Sequence, residues 1–223
     1  MSASKSFLRF ALAVISILVM VLVIVGCQKK EGEAEKPQAD ASVQSASAPA
    51  TIENLKVAYG LELKRVDWYD RFSKQAQKEN LGDIAVLFKA LARSEKVHAD
   101  KTAELLKSKG VEPVAPTIEA VAPGKARQYL KLALSNENVE QSSMAAFQAK
   151  ATEEQWAEAA EHFRRSVEAD GRHGRLLSRA IEMETNFARL PYMMCPECGY
   201  IVGSEKDEEC RVCKTPKGKF QKI

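Results

Sequence analysis

The chain has 223 residues, a formal net charge of +3, 28% charged and 45% hydrophobic residues, and five cysteines. That balance excludes a collagen, a wholly disordered chain and a disulfide-dense miniprotein, and the charge is too small to point to a nucleic-acid partner. The length suits one or two domains, but the averages pool unlike segments.

Lys5 and Arg9 precede an apolar run from Phe10 to Val25 that only Ser16 breaks. A basic start, an apolar stretch and a small residue before a cleavage point describe an export signal over residues 1–26. The end of the run, Ile24-Val25-Gly26-Cys27, resembles the lipobox of bacterial lipoproteins. The resemblance implies acylation of Cys27 and a place in the bacterial cell envelope, membrane-anchored and facing the periplasm or the cell exterior. An uncleaved N-terminal anchor is the alternative. Residues 27–50 are rich in Glu, Lys, Gln, Ala and Ser and carry Pro37 and Pro49. Such a segment cannot bury enough apolar surface to order itself and reads as a flexible stalk.

From Thr51 the pattern is helical. Leu55, Ala58, Glu62, Val66, Tyr69 and Phe72 recur at steps of three and four, one face of a helix. Thr51 suits the N-cap, and a break is expected at Asn80-Leu81-Gly82. A second helix is expected over Asp83 to Lys109, stopping at Gly110. Pro113, Pro116 and Pro123 make 111–124 a crossover loop. Further helices follow over about 125–150 and 153–188. Four long helices over 51–190 predict an all-α, antiparallel four-helix bundle.

Acids sit on the apolar faces of these helices. Glu62 lies on the first, Glu95 and His98 on the second, Glu137 and Glu140 on the third, and Asp170 and His173 on the fourth. Glu62 and Glu95 are 33 residues apart, and so are Glu137 and Asp170. One ungapped shift of 75 residues superposes Leu55 on Leu130, Phe72 on Phe147, Phe88 on Phe163, Glu95 on Asp170 and His98 on His173. A duplicated helical hairpin closed about a pseudo-twofold axis explains these matches. Buried carboxylates repel one another and lose hydration unless cations replace the water. One Glu from each of two helices, with an acid-x-x-His pair from each of the other two, is the arrangement that holds two iron or manganese ions in a bundle. The shift aligns Glu140 with Arg65, so the site is expected to be asymmetric, and Arg65 has no derived metal role. His162 and the tryptophans Trp68 and Trp156 read as a surface residue and as packing.

Residues 191–223 carry Cys195-Pro-Glu-Cys198-Gly-Tyr and Cys210-Arg-Val-Cys213, two Cys-x-x-Cys pairs with eleven residues between them. Four thiolates at this spacing close a tetrahedron around zinc or iron. Disulfides remain a third reading in an exported chain. So short a segment needs the metal to hold it together. Cys-Pro-Glu-Cys-Gly-Tyr, with Pro216 and Phe220, resembles rubredoxin, a β/loop domain around one iron.

From Thr51 to Phe220 the chain resembles rubrerythrin: a ferritin-like di-iron bundle followed by a rubredoxin-like domain. The resemblance rests on Asn54-Leu55-x-x-Ala58 before Glu62, Asp83-Ile84-Ala85-x-x-Phe88 before Glu95-x-x-His98, Leu130-Lys131-x-Ala133 before Glu137, and Phe163-Arg164 before His173. It implies di-iron ligands at Glu62, Glu95, His98, Glu137, Glu140 and His173, with Asp170 where the family has Glu. It implies one iron on Cys195, Cys198, Cys210 and Cys213, where zinc is also possible. It implies a peroxidase acting on hydrogen peroxide, electrons from an unidentified donor, and a homodimer that places the thiolate centre beside the partner's di-iron site. Glu62, Glu95, Glu137 and Glu140 would take part in catalysis, and Tyr69 would hydrogen-bond Glu62. A ferrous-iron or oxygen oxidase and a membrane-tethered electron carrier are the alternatives.

Overall fold

The computed structural model describes residues 49–183, 191–202 and 207–223. The expected leader, Cys27 and all but the last two residues of the expected stalk lie outside the described residues. Among the described residues no helix is long and apolar enough to cross a membrane.

Four helices form the bundle: α1 (Ala50–Lys78), α2 (Gly82–Ser108), α3 (Ala126–Glu153) and α4 (Ala157–Glu182). The third therefore runs slightly farther than its pattern suggests and the fourth starts later, because Gln155 turns the chain at φ 57°. α1 packs chiefly on α2, and α3 on α4. After α2, Gly110 adopts φ +71°. Its amide and that of Val111 donate to Lys107 and Leu106 carbonyls at 2.9 and 3.1 Å, closing the helix end as a left-handed glycine does. The Trp68 indole donates to the Glu119 carbonyl at 3.2 Å and ties the crossover loop to α1.

The internal repeat extends to the backbone. Asn80 (φ 58°) and Gln155 (φ 57°), 75 residues apart, make equivalent hairpin turns. Phe72 meets Phe88 edge-on at 5.3 Å, and their counterparts Phe147 and Phe163 meet in the same way at 5.6 Å. Glu79 accepts from the Ala126 amide at the start of α3, at 3.2 Å. Its counterpart Glu154 accepts from the Ala50 and Thr51 amides at the start of α1, at 3.0 Å each. Each hairpin turn thus caps the first helix of the other hairpin. Thr51 makes no side-chain cap; the carboxylate from across the bundle does that work. The capping acids satisfy orphan helix amides and complement the helix dipole.

Among its described residues the C-terminal lobe has three two-residue strands in the order β2-β1-β3: β1 (Met193–Met194), β2 (Ile201–Val202) and β3 (Gln221–Lys222), with β1 antiparallel to both neighbours. Its core is small, built from Tyr200, Val202, Val212 and the cysteines against Ala169 of α4. The lobe and the bundle belong to one compact unit. The lobe docks on its own bundle through backbone carbonyls: Ser94 donates to Gly199, Arg172 to Ile201 and Arg164 to Val212, at 2.6, 3.2 and 3.0 Å. The thiolate centre therefore lies beside the carboxylate site of the same chain, whereas the family resemblance implies a partner's site beside it.

Candidate metal centres

Helix period sets up the first site. α1 turns one acid inward, α3 two, and α2 and α4 an acid-His pair each; Glu62, Glu95, Glu137, Glu140 and Asp170 are all at most 2% exposed. Donor atoms of Glu95, Glu137, Asp170 and His173 converge within 4.8 Å of one another. His98 adjoins them, with Nδ1 3.4 Å from Glu95 Oε2 and 4.0 Å from Asp170 Oδ1. Glu62 and Glu140 complete the ring but stand apart from that cluster. Glu62 accepts from Thr102 Oγ1 at 2.8 Å. Glu140 Oε2 faces Arg65 Nε at 2.8 Å.

Hydrogen-bond accounting orients both imidazoles. A carbonyl only accepts, so His98 Nε2, 3.1 Å from the Cys198 oxygen, carries the proton. Ser94 gives its one hydroxyl proton to the Gly199 carbonyl, so at 2.8 Å it accepts from His173 Nε2. Both Nδ1 lone pairs then point at carboxylates; His173 Nδ1 lies 3.1 Å from Glu95 Oε1 and 3.2 Å from Glu137 Oε2. Lone pairs facing anions are repulsive unless a cation or a proton lies between them. Glu62 Oε1, both Glu95 oxygens, both Glu140 oxygens and Asp170 Oδ2 are buried without a hydrogen bond, and so is Arg65 Nε, which meets Glu140 as an ion pair. Buried polar atoms rarely go unpaired. This oxygen and imidazole donor set fits iron or another first-row divalent ion.

The metal-free chain answers that charge with protons. Burial, with Glu140 and Glu95 nearby, pushes Glu62 up to about 8. Burial and the neighbouring Glu95 push Glu140 to about 8, and Asp170 well above the carboxylate range. Burial alone would lower His173, but Glu137 and Glu95 outweigh it and raise it to about 10.

Three residues differ from their sequence expectations. Tyr69 hydrogen-bonds Glu137, not Glu62; its ring reaches across the bundle to α3 instead of back along its own helix. His162 is buried, with 9% exposure, and is not a surface residue. Its Nε2 lies 2.8 Å from Thr102 Oγ1 and 3.9 Å from Glu62 Oε1, so the chain runs from His162 through Thr102 to Glu62. Burial, then His98 and Arg165, lower His162 to about 3 and keep it neutral. Arg65 acquires a partner in Glu140. Two positional signals point to His162: it lies three turns before His173 on α4, and the repeat aligns it with the core residue Leu87.

The second site is built by two turns. Gly199 and Lys214 follow the second cysteine of each knuckle at φ 72° and 64°, and their amides return to Cys195 and Cys210 carbonyls at 2.9 and 2.8 Å. The four sulfurs converge within 4.8 Å, with Cys195–Cys213 at 3.4 Å and Cys198–Cys210 at 3.6 Å. All four cysteines are free thiols, so the disulfide reading falls. A tetrahedron with bonds of about 2.3 Å has edges of about 3.8 Å, so the spacing suits a metal. Gly199 is required here. A Cβ would lie 2.8 Å from His98 Nε2 and 2.9 Å from the Ser94 carbonyl.

A cleft of about 350 Å³ reaches both sites, with His98, His162 and Cys198 in its wall.

The rubrerythrin family model matches residues 53–181. Nigerythrin of Nitratidesulfovibrio vulgaris is 31% identical over 172 residues, 77% of this chain and 85% of the relative. A rubrerythrin of Porphyromonas gingivalis is 28% identical over 185 residues, 80% of this chain and 92% of the relative. The solved structure of nigerythrin in its fully reduced, all-ferrous state superposes with a TM-score of 0.72 at 28% identity, over 82% of this chain and 91% of that one. A ferritin of Chlorobium tepidum, at 18% identity and a TM-score of 0.55 over 60% of this chain, shares the bundle fold. The chain belongs to the rubrerythrin family.

Proposed function

We propose that this member of the rubrerythrin family is a non-haem di-iron peroxidase. It is an oxidoreductase that reduces hydrogen peroxide to water with electrons relayed through a rubredoxin-type iron centre, and it protects against oxidative stress. One observation carries the reading: a buried ring of unpaired carboxylate oxygens and imidazole lone pairs is joined by one hydrogen bond, His98 to Cys198, to a cluster of four thiolates.

Glu95, Glu137, Asp170 and His173 form the centre of the ligand set, with His98 and Glu62 adjoining. Iron held there would supply Lewis acidity and the electrons for peroxide reduction. The chain's own residues do the rest. Ser94 fixes the His173 ring and Tyr69 holds Glu137, which keeps the donors aimed inward. Thr102 holds one Glu62 oxygen, and the neutral His162 backs Thr102. The cleft admits a molecule the size of peroxide to the wall shared by His98 and His162. Cys195, Cys198, Cys210 and Cys213 would hold the one-electron iron; zinc would satisfy the same sulfurs but carries no electron. The His98–Cys198 contact offers a path between the centres within one chain, and a homodimer, the common assembly of the family, would carry that path in each subunit.

Residues 1–27 support a further step: acylation of Cys27 would tether the enzyme to an envelope membrane. An acyl-modified N-terminal peptide by mass spectrometry, and release of the Cys27→Ala chain from membranes, are the expected results.

Peroxide consumption with a reduced donor is expected to exceed oxygen-dependent ferrous oxidation by the same protein. The reverse ranking would favour the ferritin-like oxidase.

A further inference from the structure

Arg65 takes no part in the function proposed above, yet it is 4% exposed in a cavity of carboxylates. The 75-residue repeat gives Arg65 and Glu140 the same place in the two hairpins. The pseudo-twofold axis then sets them against each other, with Arg65 Nε 2.8 Å from Glu140 Oε2. The guanidinium also lies 5.7 Å from the Trp68 ring, whose indole is tied to the crossover loop.

A guanidinium stays charged at any relevant pH. Once buried, it needs a carboxylate to offset lost hydration. It also repels a second cation brought to the carboxylate it faces. The converging donors are Glu95, Glu137, Asp170 and His173; Glu140 is not among them.

We propose that Arg65 is a positioning residue that withholds Glu140 from the metals, a resident cation that occupies one ligand of the pair and leaves one metal position weaker than the other. The proposal rests on the reading that the carboxylate ring holds two metal ions. The competing arrangement has Glu140 ligating through its other oxygen while Arg65 merely balances charge.

Cobalt(II) titration of the metal-free full chain separates the two, without reference to activity. Cobalt at four thiolates has a charge-transfer absorption that a carboxylate and histidine site lacks, so the lobe is counted apart from the bundle. In the native chain one bundle position is expected to fill before the other. Arg65→Met frees Glu140 and is expected to tighten the weaker position by about tenfold or more, the scale of outer-sphere effects on metal affinity. The double variant Arg65→Met, Glu140→Gln removes a neutral pair that neither metal uses, so its binding is expected to return to within about threefold of native. The proposal is overturned if Arg65→Met binds no better than native. It is equally overturned if the double variant binds about tenfold more weakly than native, which would show Glu140 already ligating. The double variant keeps the test decisive even where Arg65→Met alone leaves an unpaired buried charge and fails to fold. No cobalt in the bundle of the native chain would sink the metal reading itself, and the proposal with it.

Discussion

His98 joins the two centres: its Nε2 donates to the Cys198 carbonyl at 3.1 Å while its Nδ1 faces Glu95 and Asp170. One imidazole thus touches the backbone of the thiolate knuckle and the carboxylate ring at once. The tautomer that makes the first contact is the one that leaves a lone pair for a metal at the second.

Gly199 permits that contact. Its positive φ and the 2.8 Å that a Cβ would leave to His98 Nε2 make Gly199→Ala unfavourable twice over. The cost is expected to be about 1–3 kcal/mol, borne by the docking of the lobe. The thiolate-iron spectrum should persist while peroxide oxidises that iron more slowly in single-turnover mixing. An unchanged rate would remove the contact from the electron path.

Tyr69→Phe removes the hydrogen bond to Glu137 without changing the ring. Loss of such a supporting partner costs about 10–100-fold in metal affinity, and cobalt(II) titration of the bundle site reads it. A Glu62 role for Tyr69 would instead disturb the position nearest Thr102 and leave Glu137 unaffected.

Metal loading is expected to release protons. Glu62 near 8 and His173 near 10 lie above neutral pH, so the metal-free site holds protons that a cation must displace. Affinity therefore rises with pH and levels off once these groups ionise without help. Calorimetry at pH 7 in buffers of different ionisation enthalpy should show net proton release per bundle metal. Release of none would contradict the protonated apo site.

Much of this was legible beforehand. The 75-residue shift located the duplicated hairpin, and its acids and histidines do line the bundle axis. The cross-axis partnerships were not legible. A helix face shows which residues point inward, but not which ones meet, so the pattern pairs Tyr69 with Glu62 on its own helix. In the fold its ring crosses to Glu137, the repeat counterpart of Glu62. Arg65 looked idle because its partner, Glu140, is its own counterpart in the other hairpin. His162 belongs to no acid-x-x-His pair; its alignment with the core residue Leu87 marks it as inward-facing, and its contact with Thr102 shows what it does there.

Glu154 gives a test of the fold apart from the metals. Hydrogen bonds from Thr51 and Ala50 hold its carboxyl below the usual range. Its contribution is thus present above the ordinary carboxylate value and fades as pH falls through the depressed one. Glu154→Gln is expected to lower the melting temperature at neutral pH, with the gap from native closing in acid. A gap that is constant with pH would mean that the charge is not what caps α1.

The central claim is two iron-binding centres in one chain, and metal quantification with an optical spectrum of the purified protein tests it most directly. About three irons per chain, two for the bundle and one for the thiolates, with a red thiolate-iron band are expected. A chain that holds one zinc at the thiolates and no iron in the bundle would contradict the account.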